Sequence, residues 1–84
     1  MVVGGNMLTH EDGFLKFQEV EVSERVKSES PRNFTIHNKQ GELLGYVNYY
    51  LKWKKWVFTP NDDCIFDKKC LYGIIRFIDL HLDN

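Results

Sequence analysis

Hydrophobic and polar residues alternate with a period of two in the first part of the chain, which is typical of a β-strand. Leu15 and Phe17 fall on one face of this segment, whereas Val20 and Val22 fall on the other. The change of face predicts either a β-bulge near Gln18 or a strand that is contacted on both sides. A helix is the competing interpretation of this segment, and we prefer the strand.

Two more strands are predicted after a polar linker that contains Pro31. Phe34 and Ile36 alternate with polar neighbours, and a turn that ends at Gly41 follows them because glycine tolerates a positive φ. The next strand is the longest, and strict alternation divides it into two faces. One face carries Leu43, Gly45, Val47, Tyr49 and Leu51, and the other carries Leu44, Tyr46, Asn48 and Tyr50. One arrangement that we expect places the first face on the core and turns the second outward.

A second reversal of the chain is predicted at residues 52–55, which are rich in lysine. A last strand of Trp56, Val57 and Phe58 follows this reversal. We expect the strand to stop at Pro60, because proline has no amide hydrogen to donate to a sheet.

The clearest element is a C-terminal helix that begins after Asp67, a residue type that caps helix N-termini well. Gly73 costs such a helix about 1 kcal/mol relative to alanine, so we expect a close approach to the sheet at this position. Hydrophobic residues recur at steps of three and four, which predicts one broad apolar stripe. The stripe consists of Cys70, Leu71, Ile74, Ile75, Phe77, Ile78 and Leu82.

Four strands followed by one helix predict an α+β fold in which a small antiparallel sheet of about four strands packs on the C-terminal helix. Residues 14–84 are predicted to form this single domain, and residues 1–13 are predicted to form a flexible N-terminal tail. Because one helix covers only one face of the sheet, the other face is either wet or covered by a partner.

The overall charge is close to neutral, with 11 basic and 12 acidic residues among 84, which argues against a generally basic nucleic-acid-binding protein. The first residues lack the basic and apolar regions of a secretory signal. No segment has the roughly 18–20 apolar residues of a membrane span. We therefore predict a cytoplasmic protein without membrane contact, in which Cys64 and Cys70 are reduced thiols.

Residues 46–58 combine six aromatic residues with three lysines and contain no acidic residue. Exposed rings that stack on bases, next to cations that contact phosphates, are how single-stranded nucleic acid is bound. Exposed aromatic residues are also enriched at protein interfaces, and the plainest interpretation is that these rings fill the core. The candidate binding surface consists of Tyr46, Tyr50, Lys52, Trp53, Lys54, Lys55 and Trp56.

The remaining clusters predict no chemistry. The acidic residues that precede the helix lack the alternating spacing of a calcium loop, so capping and solvation explain them better. Cys64 and Cys70 have no histidine at zinc-ligand spacing and are not a C-x-x-C redox pair. Because no catalytic motif occurs either, we predict no catalytic, metal-binding or cofactor-binding residue, no small-molecule substrate and no enzyme.

Residues 44–47 (LGYV), residues 53–60 (WKKWVFTP) and the helix that begins near Cys70 form a set that covers roughly the last 50 residues. This set resembles short uncharacterised proteins of bacterial phages and mobile elements, which share a comparable pair of strands and a terminal helix. Trp56 stands where tyrosine is more usual in them. The resemblance implies no activity, and it implies an accessory protein of a phage or mobile element.

Taken together, the sequence predicts a small non-enzymatic interaction module that binds a protein partner or forms a homodimer. An exposed sheet edge and an uncovered aromatic face both favour association. The alternative is a weak single-stranded nucleic-acid binder that uses the aromatic and basic residues of the predicted hairpin.

Overall fold

Five antiparallel strands form one sheet in which each strand pairs with its neighbour in the chain. The computed structural model describes residues 7–83. Two helices accompany the sheet, and the C-terminal one continues into a π-helical turn at Ile78–Leu82. The elements are β1 (Thr9–Asp12), β2 (Leu15–Val20), α1 (Glu24–Lys27), β3 (Asn33–His37), β4 (Leu43–Tyr50), β5 (Lys55–Pro60) and α2 (Lys68–Phe77).

The predicted α+β class with one C-terminal helix is confirmed, whereas the predicted number of about four strands is wrong. The additional strand is β1, which lies within the segment that was predicted as a tail. Its polar sequence THED shows no hydrophobic alternation, so tertiary contacts decide its conformation. The amide of Glu19 donates to the carbonyl of Leu8 at 2.8 Å beside this strand. Residues 1–6 of the predicted tail lie outside the described residues.

The core lies between α2 and the inner face of the sheet, which we define as the face toward α2. The ring of Phe77 stacks on Phe17 with 4.2 Å between centroids, and its edge meets Phe34 at 5.2 Å. All three rings are completely buried. A Cβ atom on Gly73 would lie 3.2 Å from Cδ1 of Leu15, which confirms the predicted close approach of the helix to the sheet.

The predicted alternation of β4 is interrupted at its start. Ile36 of β3 pairs with Gly45, but the next residue pairs with Leu43, so Leu44 is an extra residue in the ladder. Leu44 therefore packs against the core although the alternation placed it on the outer face. At the other end, Leu51 lies in the turn and is 43% exposed, so its predicted place on the core face is wrong.

The change of face in β2 has a different origin from the predicted bulge, because β2 pairs with β3 without a shift from Lys16 to Val20. Val20 instead lines a cavity on the outer face of the sheet together with Val22 and Val26. The strand is thus contacted on both sides at this end. Helix α1, which was not predicted, begins where the Ser23 side chain accepts a hydrogen bond from the Val26 amide.

Helix α2 begins as predicted, because a carboxylate oxygen of Asp67 accepts a hydrogen bond from the Cys70 amide at 2.9 Å. Its buried face is narrower than the predicted stripe, since Leu71 and Ile75 are exposed. Within residues 7–83, no helix is long and apolar enough to cross a membrane.

Candidate functional site

The β4–β5 hairpin carries the whole candidate binding surface, and a four-residue turn closes it. The Trp53 amide donates to the Tyr50 carbonyl and the Lys54 amide donates to the Leu51 carbonyl, both at 3.2 Å. Lys54 adopts a positive φ of 55°, which reverses the chain so that Tyr50 pairs with Lys55. The predicted reversal at residues 52–55 is confirmed, although it begins one residue earlier.

The hairpin separates the predicted aromatic residues onto two faces of the sheet. Tyr46 and Tyr50 lie opposite Thr59 and Lys55 on the outer face. Trp56 lies on the inner face, where its ring meets Tyr49 edge-on at 5.3 Å and Phe34 at 6.1 Å. Trp56 therefore does not share a face with Tyr46 and Tyr50, and its indole braces the end of the core.

The tip of the hairpin concentrates exposed aromatic and cationic groups. Trp53 is 63% exposed, and its ring meets Tyr50 edge-on with 5.3 Å between centroids. Lys52, Lys54 and Lys55 are exposed, and none has a carboxylate within 4.0 Å among residues 7–83. The structure thus brings five of the seven predicted site residues together at one end of β5, namely Tyr50, Lys52, Trp53, Lys54 and Lys55.

Strand β5 is an edge of the sheet, so one row of its backbone groups has no partner strand among residues 7–83. The amide of Asn61 donates to the carbonyl of Leu44 at 2.8 Å, which fixes the phase of the β4–β5 ladder. Because hydrogen-bonded pairs alternate in an antiparallel ladder, the backbone of Val57 faces β4. The N–H and C=O groups of Trp56 and Phe58 consequently point away from the sheet.

A groove of about 350 Å³ runs beside this free edge. Trp56 and Ile78 supply its apolar walls, and Lys54, Lys55 and Asp83 supply charged ones. Lys55 and Pro60 stand at the two ends of the edge strand. Lysine and proline are both residue types that limit unwanted strand pairing. Of the two residues with outward backbone groups, Trp56 lines the groove and Phe58 lies beyond it.

The other end of β5 is acidic. Asp62 and Asp63 follow Pro60 on an exposed turn, in which Asp63 has a positive φ of 62°. Asp67 comes next, and its hydrogen bonds from Cys70 hold the pKa of its carboxyl below the usual value. Strand β5 thus has a basic turn before it and an acidic turn after it.

The two cysteines are free thiols with different environments. Cys70 lies on the buried face of α2, and burial raises the pKa of its thiol, which lowers the nucleophilic thiolate fraction. Cys64 is half-buried, with Sγ 3.8 Å from the carbonyl oxygen of Leu43. Among residues 7–83, no group of three or more potential ligands is placed to hold a metal ion.

Three polar contacts escaped the sequence analysis because they join residues far apart in the chain. The guanidinium of Arg76 donates to both carboxylate oxygens of Asp12, at 2.9 and 3.1 Å, and so ties α2 to β1. Arg32 makes an equivalent bidentate contact with Glu19. A ring nitrogen of His81 lies 3.1 Å from one of His10. No periodicity of a single segment signals such pairs.

No protein-family model, no curated protein and no solved structure matches the chain.

Proposed function

We propose that the protein is a small non-enzymatic interaction module that binds a protein partner, or a second copy of itself, through the β4–β5 hairpin. The observation that carries the proposal is the free edge of β5, where Trp56 and Phe58 direct unpaired backbone groups away from the sheet. An extended segment of a partner can pair with such an edge as an additional strand.

Backbone pairing alone does not select a partner, so the selectivity comes from the side chains around the edge. The groove offers Trp56 and Ile78 to an apolar residue of the partner strand. At the tip, Trp53 offers a large amphipathic ring, a residue type that often dominates the binding energy of interfaces. The unpaired lysines beside it favour partners that carry carboxylates near the pairing segment.

Selection of random 12-residue peptides on the immobilised protein tests this proposal. We expect enrichment of extended peptides that alternate β-branched or aromatic residues with polar ones and contain Asp or Glu at one end. Their addition should shift the amide resonances of Trp56 and Phe58 in a two-dimensional NMR spectrum. Val57→Lys, which changes the outer-face side chain between these two positions, should weaken binding, whereas Val20→Lys on β2 is the matched control.

The proposal is wrong if selected peptides shift resonances of the exposed α2 side chains Leu71, Tyr72 and Ile75 and leave β5 unchanged. It is equally wrong if no peptide binds with a dissociation constant below the millimolar range.

A second candidate function is weak binding of single-stranded nucleic acid. The specific observation in its favour is the exposed Trp53 ring among three lysines that lack carboxylate partners in the described chain. One stacked base contributes about 1–3 kcal/mol. Three phosphate contacts should give a log–log salt slope of about −2, taking roughly 0.7 per contact on single strands.

Tryptophan fluorescence during titration with mixed-sequence single-stranded DNA and RNA tests the second candidate. Salt-sensitive quenching that disappears when Lys52, Lys54 and Lys55 are changed to alanine would support it. A flat titration into the high micromolar range would exclude it. An accessory role in a phage or mobile element, and a cytoplasmic location, rest on the sequence alone and stay predictions.

A further inference from the structure

We propose that the partner of β5 is β5 of a second copy of this chain, paired antiparallel about a two-fold axis at Val57. This inference rests on the proposed function, because it uses the same free edge, and it adds the identity of the partner and the register. It predicts a continuous ten-stranded sheet across the homodimer. Three independent features of β5 favour a copy of itself as the occupant.

The first feature is the spacing of the open backbone groups. Trp56 and Phe58 flank Val57 symmetrically, so a two-fold axis at Val57 places Trp56 opposite Phe58 of the second copy. Each of these two pairs exchanges two hydrogen bonds, as hydrogen-bonded pairs in antiparallel sheets do. All four outward groups of Trp56 and Phe58 are then satisfied in each chain.

The second feature is the side chains that this register brings together. On the inner face, each Trp56 lies next to Phe58 of the other copy, and such aromatic pairs stabilise neighbouring strands. On the outer face, the two Val57 side chains meet at the axis and Lys55 faces Thr59 of the second copy. No two like charges are directly opposite within the paired strands.

The third feature is charge complementarity between the two ends of β5. The basic turn carries Lys52, Lys54 and Lys55, and the acidic turn carries Asp62 and Asp63. An antiparallel pair brings the basic turn of each chain beside the acidic turn of the other, and the two-fold axis repeats this contact. A parallel arrangement would bring like charges together at both ends, so electrostatics specify the antiparallel one.

Registers shifted by one residue satisfy fewer of the outward backbone groups of Trp56 and Phe58. An axis at Trp56 places Phe58 opposite Lys54 of the second copy, whose amide already donates to the Leu51 carbonyl. An axis at Phe58 places Trp56 opposite Pro60 of the second copy, which has no amide hydrogen. The axis at Val57 is the register that satisfies all four outward backbone groups of Trp56 and Phe58, and it leaves Lys54 opposite Pro60 beyond them.

Disulfide trapping tests the register. Val57→Cys, in a background that carries Cys64→Ser, places two thiols at a non-hydrogen-bonded pair with Cα atoms about 4.5 Å apart. This separation lies within the range of about 4.4–6.8 Å that disulfides span. We expect nearly complete formation of a covalent dimer in a glutathione redox buffer at protein concentrations above the dissociation constant.

Lys55→Cys in the same background is the matched control. Its two thiols would stand four residues apart along the paired strands, about 14 Å at 3.4 Å per residue, so no rapid cross-link is expected. Equal cross-linking of both variants would overturn the register. Because Val57 and Lys55 both project from the outer face, neither change should unfold the chain, which circular dichroism verifies.

A charge exchange tests the antiparallel contact without any covalent bond. Lys52→Glu with Lys55→Glu reverses the basic turn, and Asp62→Lys with Asp63→Asn reverses the acidic turn, with asparagine chosen because it tolerates a positive φ. Each variant alone should dimerise at least about tenfold more weakly than the wild type, since both contacts become repulsive. A mixture of the two variants should form a heterodimer, because each reversed turn then faces its complement.

Analytical ultracentrifugation of the wild type and of these variants decides between the outcomes. The edge of β5 is short, and interfaces below about 1,200 Å² are weak and transient, so concentrations up to the millimolar range are required. A wild type that stays monomeric throughout overturns the homodimer. Peptides that still map to Trp56 and Phe58 would in that case leave the proposed protein-binding function intact, whereas loss of both results would reject it as well.

Discussion

Phe17, Phe34 and Phe77 lie between the sheet and α2 with no exposed surface, whereas Trp53 at the tip of the β4–β5 hairpin is 63% exposed. Ring type does not decide this difference, because Phe14 is 50% exposed whereas Trp56 packs against the core. Tyrosine and tryptophan tolerate partial contact with water because their O–H and N–H groups keep hydrogen-bonding there. Aromatic content alone therefore does not distinguish a core from an interface in so small a protein, and the position of each ring in the fold does.

The two regions also differ in how their charges are paired. Near β1 and β2, Arg76 holds Asp12 and Arg32 holds Glu19 in bidentate contacts. At the hairpin tip, the lysines have no such partners within the described chain. Paired charges fix a structure, whereas unpaired ones are available to a partner. This contrast is the physical basis for assigning stability to one region and binding to the other.

The largest effect is expected in the core. Phe77→Ala should lower the free energy of unfolding by about 3–5 kcal/mol, because it leaves a cavity between two other buried rings. Tyr72→Ala on the exposed side of the same helix is the control and should change it by less than about 0.5 kcal/mol. Urea denaturation followed by circular dichroism measures both. Similar losses of unfolding free energy in the two variants would show that α2 buries a different face.

The second effect separates two buried glycines, Gly45 in β4 and Gly73 in α2. A Cβ atom on Gly45 would lie 2.7 Å from the carbonyl oxygen of Thr59, so Gly45→Ala must displace backbone and should cost about 1–3 kcal/mol. In Gly73→Ala the nearest atom is a flexible leucine methyl, and alanine gains about 1 kcal/mol in helix propensity. The Gly73 variant should therefore stay near the wild type in thermal melting, and the Gly45 variant should not.

The third effect is the pH dependence of the Glu19–Arg32 pair. Hydrogen bonds from Arg32, together with the Leu8 amide, hold the pKa of Glu19 below its usual value. A carboxyl with a lowered folded-state pKa adds stability that is fully present above its unfolded pKa, about 4.3, and is lost as the pH falls through the folded value. Arg32 is partly exposed, so screening limits the contribution to about 0.5–1 kcal/mol.

Glu19→Gln should consequently be less stable than the wild type at pH 7, and the difference should shrink as the pH falls below about 4.3 and through the lowered folded-state pKa. The matched control is Glu21→Gln, whose contact with Lys27 is exposed and 3.7 Å long. A constant difference between Glu19→Gln and the wild type at every pH would contradict the assigned ionic role.

The smallest effect on stability is expected at the hairpin tip. Trp53→Ala removes an exposed ring and should change the free energy of unfolding by less than about 0.5 kcal/mol. The same change should weaken binding of any peptide selected on the hairpin. Trp56→Ala, in contrast, should lower the free energy of unfolding, because the Trp56 indole packs on Phe34 and Tyr49. If Trp53→Ala unfolds the protein, the hairpin tip contributes to stability, and the assignment of stability to one region and binding to the other is wrong.

Patterns within one segment predict those elements of the fold that depend on that segment alone. Helix α2 follows from a capping residue and a three-to-four periodicity, and the close approach at Gly73 follows from its cost in a helix. Strand β1 could not be predicted in this way, because contacts from Glu19 and Arg76 stabilise its polar segment. The bulge that turns Leu44 inward is likewise a property of two paired strands rather than of one.

The sequence predicts which residue types cluster in the candidate surface, but it does not predict on which face of the sheet each of them lies. The cluster of rings and lysines is visible in residues 46–58, but the face of each ring depends on the turn that links the two strands. A turn one residue longer would move Trp56 to the side of Tyr50. The edge position of β5 depends on the order of all five strands, so no pattern within the hairpin reveals it.

Amide hydrogen exchange measured by NMR at several protein concentrations tests most directly whether the free edge of β5 is the working surface. In dilute solution, the amides of Trp56 and Phe58 should exchange rapidly, and those of Val57 and Thr59, which face β4, should exchange slowly. As the concentration rises, Trp56 and Phe58 should become protected while Val57 and Thr59 stay unchanged. Exchange at Trp56 and Phe58 that stays fast at every concentration, and with every selected peptide, would contradict the account.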